Sequence, residues 1–172
     1  MKLRLGVALF FAIALIFFST GVSASTVKKS PVEEKTKVVT SFELFWPISA
    51  GKVAGDRWYG LKLFKENLRG LLIFGEKEKV EYQLFLATKR VVEAEKLALE
   101  GKTDKANVTL SKVRELVSKS SLLYQKGLPG DLTEIDNKLA RLNDFLPVLK
   151  EIGGVDKGLV EEIEKLIKPL LK

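Results

Sequence analysis

Apolar residues return at steps of three and four through most of this chain, the repeat of helices that each bury one face. The first stripe is Trp58, Leu61, Phe64, Leu68, Leu71 and Leu72. It predicts a helix over about 57–74, capped by Asp56 and stopped by Gly75. A longer helix follows over about 76–100. Its Val80, Leu84, Ala87, Val91, Ala94 and Ala98 keep a 4-3-4-3-4 spacing, a heptad-like seam that Phe85, Val92 and Leu99 widen. Gly101 is a natural stop. Thr103 or Asp104 can cap a third helix, about 104–125, in which Ala106, Leu110, Val113, Val117, Ser120 and Tyr124 repeat the same spacing. Two matching seams across so short a turn predict an antiparallel αα-hairpin. The small Ala87, Ala94 and Ala98 let its helices approach closely, and the first helix is the expected third member covering the seam.

Gly127-Leu128-Pro129-Gly130 breaks the chain again. Asp131 with Glu134 three residues on reads as a capping box for a fourth stripe, Leu132, Ile135, Leu139, Leu142, Leu146 and Leu149. Pro147 should kink or shorten that helix. After Gly153-Gly154, Asp156 can cap a last helix carrying Leu159, Ile163, Leu166, Ile167 and Leu170. Packing against the helical core explains this stripe better than a membrane surface does. No segment alternates as a strand would, so the fold class is all-α: an antiparallel helical bundle built on a long αα-hairpin, with about five helices after the N-terminal segment. Residues 41–172 read as a single helical domain, with a core at 41–126 and a C-terminal helical pair at 131–172. The lead-in SFELFWPISAGKVAG, residues 41–55, reads as an extended, partly buried strap over the core, because helix is disfavoured just before Pro47. Its aromatics have a second reading, as an interaction surface made of Phe42, Phe45, Trp46, Trp58 and Tyr59.

Upstream the pattern changes. Lys2 and Arg4 precede an unbroken apolar run from Val7 to Phe18, followed by Ser19-Thr20-Gly21 and Val22-Ser23-Ala24. A positive start, a short apolar centre and small residues at a cleavage point make a secretory signal over 1–24, cut after Ala24. The run is about a dozen residues, against roughly 20 needed to span a bilayer. An uncleaved N-terminal anchor is the competing reading. Residues 25–40, polar and charged with one proline, read as a flexible linker. The expected location is therefore extracytoplasmic: secreted, periplasmic or on the cell surface.

The chain's 172 residues carry a net charge of +7, of which Lys2 and Arg4 supply two. Lysines and glutamates are interspersed, so most charges should lie on solvated helix faces. The basic residues alternate with acids rather than forming a face with aromatic platforms, which speaks against nucleic acid as a partner. Cysteine and histidine are both absent. That excludes disulfides, zinc sites built on His or Cys, cysteine nucleophiles and a serine triad with a histidine base. There is no phosphate-cradling glycine loop and no dinucleotide fingerprint. No cofactor is expected. Glu161, Glu162 and Glu164 form a metal-ligand trio only on paper, and they suit the N-terminal end of a helix macrodipole. Asn107-Val108-Thr109 matches a glycosylation sequon but falls inside a predicted helix.

The stretch GDRWYGLKLFKENLRGLLIFGEKEKVEYQLFLATKRVVEAEKLALEGK resembles a bacterial family catalogued as domain of unknown function 5667. Tyr59, Leu61 and Lys62 carry the aromatic-Leu-Lys part, with Gly60 inserted. Ala87, Arg90, Glu93, Ala94 and Glu95 carry the long helix's Ala-x-x-Arg and Glu-Ala-Glu core. The resemblance extends over about residues 42–126. It implies export or membrane association and supplies no catalytic residues. Arg90, Glu93 and Glu95 form a candidate charged cluster, in which Arg90 and Glu93, three apart, should pair along the helix. The signal layout, the absence of histidine, cysteine and catalytic motifs, and the aromatic lead-in beside a helix groove together predict an exported, non-enzymatic interaction module of the cell envelope or exterior, partnered by a protein or envelope component. An N-terminally anchored sensor or scaffold is the alternative, with membrane contact only if the first segment stays uncleaved. A hydrolase using Asp or Glu alone is a third reading.

Overall fold

The structure, a computed structural model, describes residues 40–171 apart from the side chain of Phe42. The predicted signal segment, 1–24, and the predicted linker up to residue 39 lie outside the described residues. Six α-helices follow in chain order: α1 Ser41–Phe45, α2 Tyr59–Leu71, α3 Glu76–Leu99, α4 Thr103–Gln125, α5 Thr133–Lys150 and α6 Lys157–Ile167, with a short 3₁₀ turn Lys168–Leu170 after α6. The described residues form one compact unit.

The hairpin of α3 and α4 is its spine. Gly101, at φ 73°, lets the chain turn where a side chain would be strained. The Lys102 N–H donates to the Leu97 carbonyl at 2.8 Å and the Gly101 N–H to that of Ala98 at 3.0 Å, closing the helix end in a Schellman pattern. Both predicted seams are buried from Val80 to Ala98 and from Ala106 to Ser120, Tyr124 alone being half-exposed.

The first helix does not cover this seam. The C-terminal pair does: α5 packs on α3, α6 on α4, and the two on each other. Ile135, Leu139, Leu142, Phe145, Leu146 and Leu149 of α5, with Val160, Ile163 and Ile167 of α6, are all buried. These two helices offer a continuous branched-aliphatic surface, and burying each such side chain is worth about 1.5–3 kcal/mol. A helix covering the same seam with a lysine in its stripe, as α2 has at Lys65, could not match that.

Several local expectations are corrected. The lead-in begins as a helix, because Thr40 and Glu43 form a reciprocal capping box that outweighs the neighbouring Pro47. The strap reading holds beyond it: Phe45 meets Phe145 edge-on at 5.4 Å, and Ala50 and Val53 are buried. Asp56 caps no helix. Its carboxylate accepts the Val53 N–H at 2.8 Å, which holds it below the usual carboxylate range, and α2 starts after Trp58. Neither Thr103 nor Asp104 caps α4, whose N-cap is Lys102. Asp131 binds the Thr133 N–H at 2.9 Å while Glu134 pairs with Lys138, so no capping box forms at α5. That helix runs through Pro147 to Lys150 unshortened. Asp156 does cap α6, accepting the Leu159 N–H at 3.1 Å.

Candidate functional site

The feature that sets this molecule apart is α2. Its Leu61, Phe64, Leu68 and Leu71 are exposed, Phe64 by 62% and Leu71 by 76%. Trp58 before them and Leu72 and Phe74 after them are exposed as well, Phe74 by 84%. The stripe that predicted burial faces solvent.

The cause lies on the helix's other side. Tyr59, Lys62 and Glu66 share that side at steps of three and four and dock on Lys89, Arg90 and Glu93 of α3. Glu93 is fully buried. It takes the Tyr59 hydroxyl at 3.2 Å, an Arg90 N–H at 2.5 Å along its own helix, and the Lys62 ammonium. Glu66 takes Lys89 at 2.8 Å and the second Arg90 nitrogen. Lys62 also donates to the carbonyls of Ala50, at 3.0 Å, and Lys52, at 2.6 Å, which ties the strap to the cluster and uses all three ammonium hydrogens. The Tyr82 hydroxyl donates to the Glu66 carbonyl at 2.9 Å, and Arg69 lies over the Tyr82 ring at 5.4 Å. Among the described residues every buried side-chain nitrogen or oxygen has a partner.

Burial tunes the cluster. Desolvation, seconded by Glu93, pushes the Tyr59 hydroxyl up to about 12, so it stays a proton donor. Desolvation also pulls the Lys62 ammonium down, opposed by its bond to Glu93. For Arg90 the burial penalty is the largest contribution, but Glu93 and Glu66 together outweigh it and hold the guanidinium charge more firmly than usual. A buried, fully partnered network of this kind fixes the arrangement of the elements it joins. Its carboxylates are already engaged by two or three cationic or hydroxyl donors each.

Of the predicted surface aromatics, Trp46 and Trp58 are exposed, whereas Phe45 is in the core and Tyr59 in the polar cluster; the Phe42 side chain lies outside the described residues. Of the predicted charged cluster, Arg90 and Glu93 come together as an ion pair, but Glu95 faces α1 and accepts the Ser41 hydroxyl. Sequence reasoning missed Lys62, Glu66 and Lys89. Their signal was the i,i+4 pair Lys62 and Glu66 opposite an apolar arc that contains Lys65.

The glutamates of α6 form ion pairs with neighbouring helices, Glu161 and Glu164 sharing Lys150. Glu162 pairs with Arg114 at 2.7 Å and Glu164 with Lys150 at 3.0 Å. Among the described residues no group of Asp and Glu is placed to share a metal ion. Asn107 is tied into the fold, its amide reaching the Gly154 carbonyl and the Asp156 N–H at 3.1 and 2.9 Å. An open groove of about 950 Å³ runs between α4 and α6, edged by Lys112, Glu115, Lys119 and Lys165. It mixes both signs of charge and converges on no single group. Among the described residues no helix is long and apolar enough to cross a membrane.

Comparison with known proteins identifies the family. No curated protein and no solved structure matches the chain. One family model does, over residues 51–153, which takes in α2 through α5 and therefore reaches a helix beyond the resemblance read from residues 42–126. The chain belongs to the family described as domain of unknown function DUF5667.

Proposed function

We propose that this protein is a non-enzymatic interaction module working outside the cytoplasm, and that it binds through the outward apolar face of α2. The observation that carries the reading is that face itself: Leu61, Phe64, Leu68 and Leu71 on one side of a helix held rigidly by its polar side. Contiguous exposed apolar surface on a soluble domain marks a place of association. The layout of residues 1–24 supports export. The lack of histidine and cysteine, with the buried carboxylates committed to cations, supports binding rather than catalysis.

The test is photo-cross-linking from position 64 in the chain expressed with its first 24 residues in a secreting bacterial host. Position 122 is the control, since Leu122 is also exposed but belongs to no stripe. The expected result is an exported species beginning at Ser25 that forms adducts from position 64 and none from position 122. Absence of adducts at 64, or a chain retained in the cytoplasm, would overturn the reading. A membrane-bound species beginning at Met1 would make the same face that of an anchored scaffold.

A further inference from the structure

The geometry points to an anionic lipid surface as what α2 docks on, an inference that rests on the interaction reading above and names its partner. At 3.6 residues per turn, the exposed apolar side chains from Leu71 round to Trp58 span an arc of about 140°. Lys65 lies within that arc, exposed. The only acid between Arg57 and Phe74 is Glu66, and it is turned inward to Lys89 and Arg90. The exposed charges of the segment are thus Arg57, Lys65 and Arg69, all positive.

This combination selects among occupants. A second copy meeting the middle of the face about a two-fold axis would bring Lys65 against the same cations, with Glu66, already engaged, as the one acid between Arg57 and Phe74. Lys65 would be buried in apolar contact without a partner, which is strongly unfavourable. A bilayer interface accommodates both halves of the pattern. Leucine and phenylalanine side chains enter the acyl boundary, Trp58 sits at headgroup depth, and Lys65 lays its stem along the apolar region and extends its ammonium to a phosphate. The helix is already formed and fastened by Glu66 and Tyr59, so little ordering is required on contact.

The described residues 40–171 pack around a closed core of their own, so a chain of residues 37–172, which contains that core whole, is the test material. It is titrated with vesicles of phosphatidylcholine alone and with vesicles containing a third phosphatidylglycerol, by co-sedimentation at low and high salt. Binding is expected only with phosphatidylglycerol and should weaken with salt. Phe64→Asp should lower the apparent affinity by about tenfold or more, and Lys65→Gln by about fivefold. Both side chains are exposed, so circular-dichroism melts should be unchanged. Absence of binding by the folded unit, binding indifferent to phosphatidylglycerol, or binding unaffected by Phe64→Asp would each overturn the inference. If vesicles fail while position 64 still cross-links to a protein, the lipid assignment falls and the interaction module stands. A dimer linked from 64 to 64, with no vesicle binding, would assign the face to a second copy. If both vesicles and cross-links fail, both readings fall.

Discussion

Two helices of this protein carry the same apolar rhythm and end on opposite sides of the molecular surface. The seam of α3, from Val80 to Ala98, is sealed in the core, while the stripe of α2, from Leu61 to Leu71, faces water. The difference lies in what each helix has on its remaining sides. Once α4 and α5 cover the α3 seam, α3 still presents Lys89, Arg90 and Glu93. Docking an apolar stripe there would leave a buried carboxylate and guanidinium short of partners, at a cost of several kcal/mol. Docking the Tyr59, Lys62 and Glu66 side satisfies every one of them, and the leucines of α2 are left outside as a consequence.

The sharpest way to break the comparison is to put a charge where the seam has none. Ala94→Asp should unfold the hairpin, costing more than about 4 kcal/mol, because a carboxylate would be buried in the α3 seam. A circular-dichroism melt unchanged by the substitution would refute the packing. Glu93→Ala attacks the other side of the same helix. It should cost about 3–5 kcal/mol by leaving Lys62 and the Tyr59 hydroxyl without their shared acceptor. Amide exchange should then accelerate across Tyr59–Leu71 more than across α4, and uniform acceleration would show that the cluster does not fasten α2 in particular.

The pH dependence sharpens the picture further. Tyr59 titrates at about 12 in the folded protein against 10 in the unfolded chain. Its contribution is complete below pH 10 and is lost as the pH rises from 10 to about 12, because the unfolded state releases its proton first. Lys62, with its ammonium pulled down, works in the opposite sense over the alkaline range below 10.5. Tyr59→Phe should therefore lose less stability than the parent between pH 10 and 12, measured by denaturant melts; parallel curves would place the alkaline loss elsewhere. The smallest effect is expected from Leu71→Ser, within about 0.5 kcal/mol of the parent, since that side chain is already 76% exposed. A loss near 2 kcal/mol would mean that the stripe is covered within the molecule.

The interior was legible where apolar spacing meets a clear stop. The seams of α3 and α4, the stripes of α5 and α6, and the breaks at Gly101 and at residues 127–130 appear where periodicity and glycine chemistry put them. Cap identity was less legible, because Asp56 and Asp131 can each satisfy a nearby turn instead of a helix end, and both do. The pairing of Arg90 with Glu93 could be read from their spacing, whereas the i,i+4 spacing of Lys62 and Glu66 put them on one face but could not name Lys89, Arg90 and Glu93 as their partners, which lie 23 to 31 residues away in sequence.

By itself, then, the sequence determined an all-helical chain, the boundaries of its hairpin and the existence of an apolar face on α2, all consequences of local period and local stops. The tertiary structure alone decided which way that face points. A stripe at helical spacing specifies one side of a helix but not its neighbour, and here the neighbour was chosen by the need to satisfy Arg90 and Glu93 inside the protein.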